Sequence, residues 1–375
     1  MRQTRNRSRV TSAGGRWPGA STGRGFGLRT ACSAAFFLDL MRVGCLGPFT
    51  GAECIMVPSG AVMPIPTTTG PSVFAAEVLM IRPAAFGFNP ETAASNGFQA
   101  LLRGDEDVAS AARREFDGMV EGLTGAGVGV WVWEDDLDPP RPDAVFPNNW
   151  LSTHMNGRVY LYPMATVSRR REIRREHVAA LVRRYRVAEV VDWTGYAERG
   201  QALEGTGSLV IDARRRRVFA CRSSRTDPAL VHAWAAAEGH EAVLFDAFDG
   251  AGRPIYHTNV ICCVGEGFAA CGLALVPTEQ REGLRERLAE TGICIELSPA
   301  QIDRFAGNML QLRTRQGTPV LVLSQAALDA LRPDQRRALE ARTALLPVRI
   351  PTIEALGGGS ARCMLAELLL AQTGG

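Results

Sequence analysis

From Phe74 onward the apolar and polar positions repeat a theme: two runs of strand character joined by a tight turn, then an amphipathic helix, then one further strand. One copy has strands over Trp150 to Met155 and Val159 to Pro163 about an Asn156-Gly157 turn, a helix over Ser168 to Tyr185, and the strand VAEVVDW. The next runs SLVID, a turn through a run of arginines, RVFACR, a helix over Pro228 to Glu238, and EAVLFDAF. A third reads HTNVICCVGEGFAACGLALV, a helix over Glu279 to Thr291, and ICIEL. A fourth reads MLQLRTRQGTPVLVLS, a helix from Gln325 to Arg342, and LLPVRI. The segment Phe74 to Glu134 supplies a strand, a helix near Asp107 to Leu123 and VGVWVW, and the C-terminal CMLAELLLA is placed to return and complete that unit. Five such units, none able to bury its own face alone, predict a five-fold pseudo-symmetric α/β propeller around a common axis. A doubly wound parallel sheet is the alternative, and the hairpins argue against it because parallel strands are joined through helices.

Composition fits a globular chain with one large core or two modest ones, 46% hydrophobic and 22% charged. The longest apolar runs, around Ala34 to Leu40 and Met364 to Ala371, fall far short of the roughly 18 residues a membrane span needs, so a soluble protein with no membrane partner is expected. Residues 1–73 differ: seven Arg and no acidic residue precede Asp39, and PSGAVMPIPTTTGPS follows. This stretch reads as a disordered extension or a misassigned start, with Met63 and Met80 as alternative starts, although an organelle transit peptide has a similar composition. Residues 74–375 then form a single catalytic domain.

All 42 basic residues are Arg, which rules out Schiff-base lysines, a pyridoxal phosphate anchor and a P-loop. A net charge of +3 does not call for a nucleic-acid partner, and the runs Arg169 to Glu172 and Arg214 to Arg217 read as a solvated helix face and a hairpin tip. The nine Cys show no CxxC spacing and the five His no HExxH, so no metal, no organic cofactor and no disulfide framework is implied, and a reducing cytoplasmic setting is expected.

Polar sequences recur near the starts of the hairpins: FPNNW, LEGTG, YHTN, GNML and GGGSARC. In a ring these equivalent positions converge on one pocket lined by Asn148, Asn149, Glu204, His257, Asn259, Asn308 and Cys363. Cys363 follows Gly357 to Gly359, whose freedom leaves a thiol reachable by a ligand, with His257 or Arg362 near enough to favour a thiolate. Each residue alone has a plainer reading: a buried structural cysteine, a core histidine before VICCV, a carboxylate capping a turn, ordinary turn asparagines. Their coincidence across the repeats favours chemistry.

From Met80 to the C-terminus the chain resembles the guanidine-modifying, or pentein, superfamily of arginine deiminases, dimethylarginine hydrolases, succinylarginine dihydrolases and amidinotransferases. The resemblance rests on LMIRP, FPNNW, EGTG, YHTN and GGGSARC in that order. More narrowly, MIRPAAFGFNPETAASNGFQ with FPNNWLSTH is similar to citrulline-utilisation hydrolases. The resemblance implies Cys363 as nucleophile, His257 as general acid and base, and Glu204 as the carboxylate that orients the histidine or grips substrate nitrogen. It implies a covalent intermediate and a small-molecule substrate.

Where deiminases carry two carboxylates this chain has Asn149 and Asn259, and an amide pair suits a neutral ureido group better than a guanidinium. Citrulline is therefore the expected substrate, hydrolysed to ornithine, carbon dioxide and ammonia. Asn148 joins the substrate-binding set, and Arg222, Arg313 and Asn89 are candidates for the substrate's own carboxylate and amine, while Arg82 reads as structural. The rivals are an arginine or methylarginine deiminase, an amidinotransferase, and a non-catalytic binding protein.

Overall fold

Why the repeats become separate small sheets is visible in their turns. Gly157 takes φ +84° between Leu151–Thr153 (β3) and Arg158–Leu161 (β4), the left-handed position that ends a three-residue hairpin loop closed by His154 N–H donating to the Arg158 carbonyl at 2.9 Å. The structure, a computed structural model, describes residues 72–100 and 107–373, all within one compact unit, Met63–Gly375. The extension expected over residues 1–73 lies outside the described residues, apart from Ser72 and Val73.

Among the described residues, five three-stranded sheets follow one plan. In the sheet of β3 and β4, the third strand is Glu189–Asp192 (β5), parallel to β4. Val210–Asp212 (β6), Arg217–Cys221 (β7) and Glu241–Phe245 (β8) repeat the arrangement, as do Cys262–Gly265 (β9), Gly267–Cys271 (β10) and Gly292–Glu296 (β11). Leu310–Arg313 (β12), Pro319–Ser324 (β13) and Ala344–Val348 (β14) form the fourth. The remaining sheet is split in sequence: Glu77–Arg82 (β1) runs parallel to Gly129–Glu134 (β2), and the C-terminal Ala366–Glu367 (β15) returns antiparallel to β1. The middle strands are buried along their length, most clearly β7 and β13, and in chain order helical segments connect each middle strand to the third.

Local chemistry sets the helix ends. Asp227 accepts from Ala229 and Leu230 N–H at 2.8 and 3.2 Å, Pro228 opens the helix Pro228–Glu238, and Gly239 closes it at φ +65°. Two expected helices are each broken in two. Gln325 to Arg342 becomes Gln325–Ala330 and Pro333–Glu340, because Pro333 forces Arg332 into an extended conformation. Ser168 to Tyr185 becomes Val167–Arg170 and Arg175–Arg184, with Glu172 paired to Arg169 in the interior beside the break.

Residues of β3, β6, β9, β12 and β15 together line a cavity of about 710 Å³, among them Ser152, Asp212, Cys263, Gln311 and Glu367. Among the described residues no helix is long and apolar enough to cross a membrane.

Candidate active site

The first strand of each sheet is preceded by a short helical or turn segment, and the chemistry sits there. Pro147–Asn149 precedes β3, Gly205–Ser208 precedes β6, Thr258–Ile261 precedes β9, and Ala361–Met364 precedes β15. Before β12 the chain turns through Phe305 at φ +59°, and Asn308 N–H donates to its carbonyl. Each segment halts the apolar strand pattern for one turn, which presents polar side chains sideways instead of into a sheet face.

Glu204 and His257 occupy the residue before the first helical turn in their segments, and the histidine Nε2 lies 2.8 Å from Glu204 Oε2. Burial opposes charge on Glu204, yet Arg225 Nη1 at 3.5 Å, His257 and Arg169 Nη1 at 3.8 Å outweigh it and hold the carboxyl well below its usual range. Ala165 N–H donates to its other oxygen at 3.0 Å. Burial pulls His257 down to about 4 against the attraction of Glu204, so the ring is neutral at physiological pH. With Glu204 ionised, the ring proton sits on Nε2 and Nδ1 keeps its lone pair.

Cys363 is 2% exposed, less accessible than the glycine triplet suggests. The segment around Asn96 accounts for this: Asn96 Nδ2 donates to the Gly357 and Gly358 carbonyls at 3.2 and 3.3 Å, Gln99 Nε2 donates to the Leu356 carbonyl at 3.0 Å, and the Tyr256 hydroxyl donates to the Gly358 carbonyl. What remains beside the thiol is a pocket of about 10 Å³, lined by Cys363, His257, Asn149, Asp143, Arg169 and Arg225 among others. The larger cavity contains none of the three catalytic candidates.

The asparagines take distinct positions. Asn259 Nδ2 lies 3.4 Å from Cys363 Sγ. Asn149 Oδ1 accepts from Arg169 Nη1 at 2.8 Å, and its buried Nδ2 has no protein partner. Asn148 donates to Thr206 Oγ1 at 3.3 Å, away from the pocket lining. Asn89 caps the turn Pro90–Ala93 and donates to Asp143 Oδ2 at 2.7 Å, behind the pocket wall.

Two arginines proposed from the sequence lie elsewhere. Arg222 is 42% exposed and pairs with Asp246 at 3.3 Å, and Arg313 pairs with Glu266 at 2.5 Å, so neither lines the pocket. Arg225, three residues after Arg222, is the buried one. Its guanidinium stacks 4.8 Å over Tyr256 and donates to the Thr92 carbonyl and Ser95 hydroxyl at 2.9 and 2.7 Å. The run Arg169 to Glu172 is likewise no solvated face, because Arg169 and Glu172 are each 2% exposed and make a bidentate pair at 2.8 Å. Burial pushes Glu172 up to about 7 against the pull of Arg169, and burial raises Asp143 as well.

Residues 82–370 match the family model for N,N dimethylarginine dimethylhydrolase, eukaryotic. The chain belongs to this family. It is a member of the pentein, or amidinotransferase, superfamily and a hydrolase of carbon–nitrogen bonds other than peptide bonds. Among solved structures, the substrate-bound N-terminal domain of a cysteine-to-serine mutant of ArgZ, an arginine dihydrolase from the ornithine-ammonia cycle in cyanobacteria, is 15% identical with a TM-score of 0.60. That match covers 79% of this chain and 98% of the ArgZ domain, whereas this chain spans only 40% of the longer ArgZ chain. Unliganded AgrE is 16% identical at TM-score 0.60, covering 78% of this chain and 39% of AgrE. A histidine-to-glycine mutant of dimethylarginine dimethylaminohydrolase, solved as its adduct with S-methyl-L-thiocitrulline, is 14% identical at TM-score 0.54, covering 79% of this chain and all of that one. At these identities the likeness is one of fold. No curated protein matches the chain.

Proposed function

We propose that this enzyme hydrolyses citrulline, through Cys363, to ornithine, carbon dioxide and ammonia. The observation that carries the choice of a ureido substrate is the buried, unpartnered Nδ2 of Asn149. A guanidinium has only donors, so Arg169 claims the amide oxygen of Asn149 and leaves the NH₂ facing the pocket. That NH₂ needs an acceptor. A ureido oxygen supplies one, and so does the oxyanion that develops on attack; an arginine guanidinium would set N–H against N–H.

In the reaction the Cys363 thiol passes its proton to His257 Nδ1, and the thiolate attacks the ureido carbon. Asn149 Nδ2 donates to the oxyanion. His257 returns the proton to the departing δ-amine, releasing ornithine and leaving an S-carbamoyl cysteine. It then takes a proton from water, whose attack frees the thiolate and gives carbamate, which decomposes to carbon dioxide and ammonia. Glu204 holds the histidine in the tautomer that does this. Arg225, the buried cation at the pocket wall, takes the substrate carboxylate in place of Arg222 or Arg313. Citrulline is larger than the present pocket, so its admission requires the segment carrying Asn96 to move.

The architecture is read as a closed five-unit ring forming a single catalytic domain over residues 74–375, supported by the cavity that the first strands of all five sheets share. The described cysteines are free, in keeping with a reducing cytoplasmic setting.

A second reading, hydrolysis of arginine or a methylarginine, is favoured by the family match and by Asp143, a carboxylate in the pocket wall. Efficiencies on citrulline and arginine, in the wild type and Asn149→Asp, separate the two. The ureido reading expects a citrulline preference that moves toward arginine by tenfold or more on substitution, since an Asp bound to Arg169 turns an acceptor into the pocket. A wild type that prefers arginine overturns it.

A further inference from the structure

The glycine turn that leads into the nucleophile is held by three side chains, and two of them ride on a segment that has to move. Gln99 Nε2 donates to the Leu356 carbonyl at 3.0 Å, and Asn96 Nδ2 donates to the Gly357 and Gly358 carbonyls at 3.2 and 3.3 Å. Both belong to the segment whose displacement admits the substrate. Among the described residues, the third is Tyr256, the residue before His257, whose hydroxyl donates to the same Gly358 carbonyl. We propose that Tyr256 is a positioning residue that keeps the turn before Cys363 in register with His257 once substrate has displaced the Asn96 segment.

Tyr256 does not depend on that segment for its own place. Ser223 Oγ donates to its carbonyl at 2.8 Å, its ring centroid lies 4.5 Å from that of His257, and Arg225 Cζ sits 4.8 Å over its face. Burial pushes the phenol further above its usual range, so the hydroxyl stays a donor. One side chain therefore touches the base, the cation assigned to the substrate carboxylate and the turn of the nucleophile.

Gly358 ends the helix Pro351–Gly357 at φ +60°, and its peptide sets the direction of the chain that reaches Cys363. The next residue lies against the nucleophile: a Cβ on Gly359 would stand 3.4 Å from Cys363 Cβ. A swing of the Gly358 peptide thus shifts the sulfur relative to His257, and a misplacement of about 1 Å costs roughly a hundredfold in rate. With Asn96 withdrawn, the Tyr256 hydroxyl is the side-chain bond that remains on that carbonyl among the described residues. The role assigned to Tyr256 rests on Cys363 being the nucleophile and on the movement of the segment, and is the same for citrulline and arginine.

The test compares wild type with Tyr256→Phe on whichever of citrulline and arginine the wild type turns over faster, with the dissociation constant of ornithine and the melting temperature measured alongside. Phe keeps the face shared with Arg225 and His257 and lacks the bond to Gly358. Its kcat is expected to fall at least tenfold, with KM and the ornithine constant within about twofold of wild type. Tyr256→Leu, which also loses the aromatic face under Arg225, is expected to weaken ornithine binding as well. A merely structural Tyr256 would lower the melting temperature of the Phe variant and leave kcat of the folded enzyme unchanged, which overturns the proposal. So does a raised KM with kcat unchanged, which would make Tyr256 a binding residue only. A wild type that works on arginine and not on citrulline counts against the proposed substrate, and the Tyr256 comparison is then read on arginine. A wild type that turns over neither removes the nucleophile reading and the proposal with it.

Discussion

Arg169 Nη1 stands 2.8 Å from Asn149 Oδ1 while the same guanidinium grips both oxygens of Glu172 at 2.8 Å, so one buried cation fixes an amide in the pocket and neutralises a carboxylate behind it. The two roles are separable. Arg169→Met leaves Glu172 buried and unpaired and should cost about 3–5 kcal/mol in urea unfolding. Adding Glu172→Leu should return most of that stability but not the activity on citrulline, because Asn149 is then free to turn. Activity restored together with stability would deny Arg169 its orienting role.

Gly207 gives a second handle. A Cβ there would meet Asn149 Nδ2 and lie 2.8 Å from His257 Nδ1, both being ends of side chains that face the site. Gly207→Ala is expected to lower kcat/KM on the substrate about a hundredfold or more by displacing one of them, at a cost of about 1–3 kcal/mol in urea unfolding because Arg169 and Glu204 hold both in place. Wild-type turnover in this variant would show that the space between these two side chains has no part in the chemistry.

Acid should weaken the fold through His257. Burial holds the ring at about 4 against an ordinary 6.5, so the unfolded chain binds more protons between those values and stability falls as pH drops through that window. His257→Asn removes that uptake. In urea titrations at several pH values from about 6.5 down to about 4.5, the variant should lose less stability than wild type by about 1.4 kcal/mol per pH unit. Equal slopes would mean that His257 is not held neutral.

The hairpin, helix and strand theme was legible because burial of one sheet face imposes a period that survives in a single sequence. FPNNW, LEGTG, YHTN and GGGSARC stood out for the converse reason: polar residues interrupt that period where the chain turns toward the site. Arg169 and Glu172 were hidden, since a charge run looks the same whether solvated or paired in the interior. The break of the helix after Arg170 was hidden too, since neither proline nor glycine marks it in the sequence. The break before Pro333 carried a local signal, an extended residue preceding proline. Choosing Arg225 over Arg222 depended on which way the loop Cys221 to Thr226 faces, and the sequence does not encode that locally. Asp143, in RPDAVFP, gave no periodic signal either.

The proposed chemistry turns on Cys363 attacking a ureido carbon, and the most direct measurement is release of ornithine and ammonia by the purified protein from citrulline, with arginine in parallel and Cys363→Ala as control. Equal amounts of ornithine and ammonia from citrulline, little from arginine, and neither from a folded Cys363→Ala protein are the predicted result. Citrulline accumulating from arginine, or turnover persisting without the Cys363 thiol, would contradict it.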